Sequence, residues 1–440
     1  MLTRRGVGLL AGSAGAWLAG RALGIPELFI VAAAGAAAVA LAAAGTRLTT
    51  ASFLLRRSVS GTRIDADGAA EVDLTLRNDI RLPASLLLIE DSCPYLLAAP
   101  PRFVVPGIAP GQQVTLRYVI EGRSRGRYRI GPLRIRARDP LGLTEWVRQS
   151  TDGVEVVVYP RIEPLSDGRN PQSDHGSGAS EARRLFTSGD EFHTMREYVS
   201  GDDLRQVHWP STAHRGTLMI RQQELPWQPQ ATLLCDARAH AHEGAGPTSS
   251  LERAISATAS LVCHLTDAQY RVRLLTDADR QPAVVQPRAT LLDRLAELEA
   301  SRSDALVPAL EQLRAGGQGL LLAVLGPRSA SAAQRGALSR HPEVQALISG
   351  GRRFRVRIAL IVDPSAHLRR DRADGRRLTE AAELAGILSA SGWRATTLAP
   401  GQSVADAWRS VTDPSAMAQA RSVQHAALRP AAGTPAGGGI

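Results

Sequence analysis

The sequence predicts an α+β multidomain protein made of an N-terminal transmembrane helical hairpin, an antiparallel β-sandwich-like domain and an α/β doubly wound domain. Three observations give this order. Two uncharged, alanine-rich segments lie within residues 1–48. Short runs of alternating apolar and polar residues follow them, which is typical of half-buried strands. From residue 226 onwards, apolar runs alternate with helical stretches, which predicts a parallel sheet covered on both faces.

Residues 1–48 are predicted to cross a membrane twice. Fifteen uncharged residues lie between Arg5 and Arg21, and nineteen lie between Glu27 and Arg47. The second segment is long enough to span a bilayer, whereas the first spans only if Arg21 reaches the interface. Arginines precede and follow the pair, so the positive-inside rule places both flanks in the cytoplasm. We therefore expect a two-pass protein of the plasma (inner) membrane with the bulk of the chain cytoplasmic.

An export signal is the alternative for this end of the chain, because Arg4 and Arg5 are twin arginines before an apolar run. The segment has no clear small-x-small cleavage site, and a second apolar segment follows it almost at once. A hairpin fits both facts better.

Residues 49–160 are predicted to form the β-sandwich-like domain. Strands are expected at 71–78, 85–91, 113–122, 126–139 and 153–160, with Gly, Pro, Asn and Asp turns between them. Seven arginines lie between Arg123 and Arg138, several of them at alternate positions that share one strand face. We interpret this basic face as solvated and close to anionic lipid. Nucleic-acid binding is the alternative, but only Tyr128 interleaves with the arginines and no nucleic-acid-binding motif is present.

A polar Gly/Ser-rich segment, 161–188, predicts a flexible linker, and residues 189–225 follow it as a dense cluster of charged, aromatic and turn residues. We expect a strand, a turn at 200–202, one or two helical turns closed by Pro210, and a second strand. Helical spacing would place Asp202, Arg205 and Trp209 on one face. The candidate residues are Arg196, Tyr198, Gly201, Asp202, Arg205, Trp209 and Arg215. A salt-bridge network at a domain junction and a partner-docking surface both remain possible, because arginine forks bind carboxylates of the same chain or of another.

Residues 226–412 are predicted to be the α/β domain, with strands at 231–237, 271–277, 319–326, 355–363 and 394–400. Helical stretches at 251–265, 291–300 and 378–390 alternate with these strands. The remaining residues, 413–440, are predicted to be a disordered tail.

The cluster contains a recognisable signature. Its residues Gly201, Asp202, Arg205, Val207, His208 and Trp209 resemble the Gly-Asp-x-x-Arg-x-(Val/Ile)-(Asp/His)-Trp core of domain-of-unknown-function family 58. The segments 125–143 and 158–162 are also similar to that family, although Pro210 and His214 stand where the family often has basic residues. The resemblance implies a von Willebrand factor type A-like domain at 226–412 and a MoxR-type AAA+ ATPase as partner. It implies no agreed biochemical activity.

Type A domains carry an Asp-x-Ser-x-Ser metal-adhesion motif after their first strand. Here Asp236, Arg238 and His240 stand at the first, third and fifth positions, so both serines are replaced. Mg²⁺ needs several hard oxygen ligands, and a cationic Arg238 disfavours it. We therefore expect an internal ion pair between Asp236 and Arg238 and no metal. Asp363, after a later strand, would face the same edge of the sheet.

Motifs of other function classes are missing from the sequence. It has no phosphate loop, no hydrolase elbow, no HExxH and no dinucleotide fingerprint, and its paired histidines lack a third zinc ligand at suitable spacing. We expect neither an enzyme nor a cofactor. The three cysteines are far apart, which predicts free thiols in a reducing compartment. The net charge of +10 is carried almost entirely by arginine and says little about a partner.

These observations favour a membrane-anchored cytosolic interaction or scaffold protein, an adaptor or assembly factor for the ATPase that the resemblance implies, with the lipid bilayer as its other partner. The alternatives are a metal-dependent adhesion module or an uncharacterised enzyme, and then a basic nucleic-acid binder. We expect no specific nucleic acid.

Overall fold

The computed structural model describes residues 1–50, 53–79, 81, 83, 86–166, 194–199, 207–222, 229–277, 279, 281–303, 306–315, 319–327, 338–363 and 374–413. The chain divides into two compact units, Met1–Arg161 and Ile162–Ile440. Most of the predicted linker, from residue 167, and the predicted tail beyond Asp413 lie outside the described residues.

The first unit begins with two helices, α1 (Arg4–Leu23) and α2 (Glu27–Thr50). Gly24 ends α1 in the left-handed conformation, with φ of 68°. Small residues let the helices pack closely, since a Cβ added at Gly35 would lie 2.2 Å from Ser13 Oγ. The Trp17 and Phe29 rings meet edge to face with centroids 6.4 Å apart. The segment Glu27–Leu48 of α2 is long and apolar enough to cross a membrane.

Antiparallel sheets make up the rest of the first unit, as predicted. Its strands are β1 (Phe53–Val59), β2 (Arg63–Ile64), β3 (Ala69–Asn78), β4 (Leu86–Asp91), β5 (Arg102–Val105), β6 (Gln113–Glu121), β7 (Gly126–Ile130), β8 (Leu133–Arg138), β9 (Glu145–Gln149) and β10 (Val154–Val158). They form the sheets β1-β3-β6, β5-β4-β8-β9 and β2-β10-β7, in which β2 and β10 are the parallel pair. One core of alternate strand residues joins the sheets.

The prediction for 126–139 as one strand is wrong. Gly131, with φ of 109°, turns the chain between β7 and β8. The arginines of β8 lie on its outer face, as the alternation predicts, while Leu133, Ile135 and Ala137 are buried. Glutamates on neighbouring strands pair with several arginines of this unit. These pairs are Arg102–Glu90, Arg127–Glu155 and Arg138–Glu145.

The second unit contains a parallel sheet of five strands, which are β13 (Gln230–Cys235), β14 (Arg271–Thr276), β15 (Leu320–Leu325), β16 (Val356–Val362) and β17 (Arg394–Leu398). Their order across the sheet is β14-β13-β15-β16-β17. This order is one of the two common doubly wound arrangements, and it puts the reversal of strand order between β13 and β15. All five strands are near their predicted positions. Strand β15 is apolar throughout, as buried parallel strands are, whereas the edge strands β14 and β17 include arginine and threonine.

Helices lie between and after the strands of this sheet in the sequence. They are α4 (Ser250–Asp267), α5 (Arg288–Glu297), α6 (Val307–Ala315), α7 (Pro342–Gly351), α8 (Asp374–Ala390) and α9 (Val404–Thr412). Ser249 caps α4 and Ser403 caps α9.

Glu163, within the predicted linker, is fixed to the α/β unit. Its carboxylate accepts hydrogen bonds from the Val404 amide at 2.6 Å and from Arg253 Nη1 at 2.7 Å, and its own amide donates to Ser260 Oγ. The α/β unit therefore starts before residue 226.

Candidate functional site

The charged and aromatic cluster folds as a strand, a helix and a strand. Strand β11 (Thr194–Glu197) pairs antiparallel with β12 (Met219–Gln222), so that Arg196 lies opposite Ile220. Helix α3 (Trp209–Arg215) lies between them in sequence. The order of elements agrees with the prediction for the described part of 189–225.

Local hydrogen bonds tie α3 to β12. The His208 amide donates to Met219 O at 2.9 Å, and the Met219 amide donates to Thr212 Oγ1 at 3.0 Å. His208 also caps the helix, because its Nδ1 lies 2.9 Å from Ser211 Oγ and accepts from the Ser211 amide. The helix ends at Gly216, whose φ of 75° closes it in the left-handed conformation.

The predicted role of Pro210 as the end of a helix is wrong. Helix α3 begins at Trp209, and Pro210 lies in its first turn, where a missing amide costs nothing. His208 is extended, with φ of −90° and ψ of 92°, so α3 does not continue back through His208. Gly201, Asp202 and Arg205 lie outside the described residues, and with them the predicted common face of Asp202, Arg205 and Trp209.

The described candidate residues differ in exposure. Tyr198 is half-buried, and its amide donates to Leu218 O at 2.8 Å. Trp209 is 68% exposed although its neighbour Val207 is buried. Arg215 is exposed in the last turn of α3. Among the described residues, Trp209 is thus a large aromatic side chain exposed at the start of a capped helix.

A second group of candidate residues lies at the carboxyl end of β13, beside the reversal of strand order. Arg238 and Asp236 are both fully buried. Arg238 Nε and Nη2 each lie 2.9 Å from one carboxylate oxygen of Asp236, which is the bidentate pair that arginine geometry favours. The predicted ion pair is confirmed. His240 is half-buried on the short 3₁₀ turn that follows, Ala239–Ala241.

Glu343 is the residue that sequence reasoning missed. It lies in the first turn of α7 and accepts from Arg238 Nη1 at 2.9 Å. Its other oxygen accepts from the Leu306 amide at 2.9 Å. Because Glu343 is 105 residues from Arg238, no local pattern pointed to it. The guanidinium thus joins the end of β13 to the start of α7.

The electrostatics of this group are those of a closed network. Burial alone would raise the pKa of the Asp236 carboxyl, but the hydrogen bonds and charge of Arg238 outweigh burial and hold that pKa below its ordinary value. Burial lowers the pKa of the His242 imidazole, so the ring is neutral at pH 7. Its Nε2 donates to Asp236 O at 2.8 Å. Asp277, after β14, accepts from the Ala237 amide at 3.0 Å.

Close packing continues along this edge of the sheet among the described residues. A Cβ added at Gly326, after β15, would lie 2.2 Å from Ala241 O, so the backbone fills the gap between β13 and β15. Within the described ranges, His, Cys, Asp and Glu do not gather in a group of three that could hold a metal ion. Asp363 follows β16 and is buried. The buried contacts of Asp236, Arg238 and Glu343 suit a structural role.

Comparison with known proteins gives one family. Residues 194–315 match the family model described as "Protein of unknown function DUF58". The chain carries a DUF58 region. Over 220 residues it is 27% identical to "Uncharacterized protein YeaD" of Bacillus subtilis (strain 168), covering 48% of this chain and 52% of that protein. The chain thus spans about half the length of this relative.

Two solved structures resemble the chain weakly. The CARDB domain of the PF1109 protein from Pyrococcus furiosus has a TM-score of 0.19 at 11% identity and covers 24% of this chain and 87% of that one. The alkylpurine DNA glycosylase AlkC of Pseudomonas fluorescens has a TM-score of 0.17 at 14% identity, covering 30% of this chain and 38% of that one. Scores this low carry no argument.

The DUF58 region includes both candidate groups in part. It contains β11, α3 and β12 with Trp209, and it contains Asp236 and Arg238. Glu343 lies beyond it.

Proposed function

We propose that this DUF58 protein is a membrane-anchored interaction protein that docks a partner through the β11–α3–β12 surface. The exposure of Trp209 carries the proposal, since tryptophan and arginine are among the residue types that most often dominate protein interfaces. Arg215 lies six residues further on, in the last turn of the same helix. The family resemblance implies a MoxR-type AAA+ ATPase as partner, so the protein would be its adaptor or assembly factor.

The closed state of the sheet edge supports an interaction protein over an enzyme or an adhesion module. In open α/β sheets, ligands bind at the carboxyl ends of the strands where the strand order reverses. Here Arg238 occupies both oxygens of Asp236, and Ala241 packs against Gly326. We propose that the domain is type A-like with its metal function replaced by this ion-pair network.

Membrane anchoring rests on α2, whose segment Glu27–Leu48 has the length and apolar character of a span. We propose that α1 crosses beside it, because the helices pack through Ser13 and Gly35 as membrane helices do. Arg4, Arg5 and Arg47 then place both ends and the bulk of the chain in the cytoplasm. The glutamates that pair with the arginines of the β unit reduce its attraction for nucleic acid.

Affinity capture of the full chain from detergent-solubilised membranes tests the proposal. We expect an AAA+ ATPase to be recovered in proportion to the chain and to be lost when Trp209 is replaced. Recovery of nucleic acid without an ATPase would contradict it, as would a chain that stays in the soluble fraction.

A further inference from the structure

The turn between β8 and β9, residues 139–144, contacts the ends of both N-terminal helices. Thr144 Oγ1 lies 3.2 Å from Ala42 O and 3.1 Å from Thr46 Oγ1, both in α2. On the side of α1, the Thr3 amide donates to Leu143 O at 3.0 Å, and Thr3 Oγ1 donates to Gly142 O at 2.6 Å. The turn is therefore fixed to the helix pair by hydrogen bonds.

These contacts set the depth of the turn. Ala42 and Thr46 lie six and two residues before Leu48, the end of the candidate span, which is about 9 Å and about 3 Å along the helix axis. Leu2 and Thr144 form an antiparallel bridge, so residues 142–145 run beside Met1–Thr3. Traced from Glu145 back to Gly142, this segment points in the same direction as Met1–Thr3, which leads into α1. When α2 spans the bilayer, the tip of the turn lies at the boundary between headgroups and acyl chains.

The tip presents an apolar side chain, and three of its amides are paired within the turn. Leu141 is 64% exposed, whereas Leu143 is buried. The Asp139 carboxylate accepts from the amides of Leu141 and Thr144, and Asp139 O accepts from the Gly142 amide at 2.9 Å. Pro140 has no amide hydrogen to satisfy. The three amides paired in this way need no water, which lowers the cost of placing this backbone at membrane depth.

We propose that the 139–144 turn is a membrane-insertion element whose Leu141 enters the acyl boundary of the cytoplasmic leaflet. The ligand is the lipid surface itself. This inference rests on the proposed membrane anchoring by α2 and adds that the β unit is held on the leaflet in one orientation. Arg4 and Arg5, at the start of α1, lie at headgroup level beside the inserted turn.

Site-specific fluorescence of the full chain in phospholipid vesicles tests the proposal. All three native cysteines, Cys93, Cys235 and Cys263, are buried, so Leu141→Cys adds a single exposed thiol for a polarity-sensitive dye. Spin-labelled lipids then report depth, with the label near the start or near the end of the acyl chain. The unsubstituted protein controls for labelling of native thiols.

Two further variants give the reference points. Leu41→Cys, at a position 73% exposed on α2, reports whether the span itself is in lipid. Tyr95→Cys, at a position 78% exposed, is the control outside the membrane. Arg138, next to the turn, pairs with Leu86 at the start of β4. Tyr95 comes after Asp91, the other end of this strand, and the two ends of β4 are about 17 Å apart.

We expect the Leu141 and Leu41 dyes to be blue-shifted and quenched by spin-labelled lipid, with the Leu141 dye quenched more by the label near the start of the chain. The dye at Tyr95→Cys should emit as a dye that is exposed to water does, without a blue shift. If Leu41 is quenched and Leu141 behaves as Tyr95 does, the insertion proposal is overturned while membrane anchoring stands. If neither Leu41 nor Leu141 is quenched, both proposals are overturned.

Discussion

Replacing Arg238 with methionine removes the cation from the closed network and leaves Asp236 and Glu343 without it. The Arg238 and Asp236 side chains are fully buried, and Arg238 makes three charged hydrogen bonds of 2.9 Å to the two carboxylates. Breaking a buried pair from one side costs about 3–5 kcal/mol, because the remaining charge is desolvated and uncompensated. For a unit of this size we expect Tm to fall by about 6–20 °C.

The pH dependence identifies the cause. In the native chain the pKa of Asp236 is below its unfolded value, so the carboxylate contributes stability that is present above the unfolded pKa and is lost as pH falls through the folded pKa. In Arg238→Met, burial remains without the cation, and the pKa of Asp236 rises above its unfolded value of about 3.9. The deficit of the variant is therefore expected to be larger at pH 7 than near pH 4.

Thermal unfolding of the detergent-solubilised chain measures this effect through tryptophan emission, to which the buried Trp393 and Trp408 of this unit contribute. Arg288→Met is the matched control, because Arg288 pairs with Asp267 at 2.7 Å with both side chains exposed. Exposed pairs contribute about 0–1 kcal/mol. The reasoning fails if Arg238→Met melts no lower than Arg288→Met, or if its deficit is the same at pH 7 and near pH 4.

Three other predictions concern separate parts of the chain. Tyr118→Phe removes the hydrogen bond of 2.7 Å to the buried carboxylate of Asp91 and should destabilise the β unit by about 1.5–3 kcal/mol in urea unfolding; an unchanged midpoint would contradict this. Mg²⁺ should leave Tm unchanged, whereas a site filled at about 100 times its Kd would add about 2.7 kcal/mol, and a rise abolished by Asp236→Ala would refute the closed network. A reporter that works only in the cytoplasm, fused after Ile440, should be active; activity of an export-dependent reporter there would contradict the proposed topology.

The sequence predicted the α/β strands better than the β unit. Runs such as Leu320–Leu325 are apolar at every position, because parallel strands are covered on both faces. The strand Glu145–Gln149 was missed, since it is largely polar and lies at the edge of its sheet. Phe53–Val59 was missed as well, where two arginines interrupt the alternation.

In the candidate site too, the sequence predicts contacts between close neighbours but not contacts between residues that are far apart in the chain. Asp236 and Arg238 are two residues apart, and their pairing follows from charge and spacing. Glu343 reaches them only through the packing of α7 against the sheet edge, which no sequence window contains. Pro210 lies in the first turn of α3 and not after the end of a preceding helix, and the sequence does not separate these two positions because proline is common in both.

The proposed docking role of Trp209 is tested directly by one pair of variants. Trp209→Ala truncates a side chain that is 68% exposed, and Tyr95→Ala truncates an exposed aromatic side chain in the other unit. We predict that Trp209→Ala weakens ATPase capture by about 2 kcal/mol or more, roughly 30-fold in Kd, with Tm unchanged, while Tyr95→Ala binds as the native chain does. Equal binding by all three proteins, or a loss of binding that follows a loss of folding, would contradict the claim.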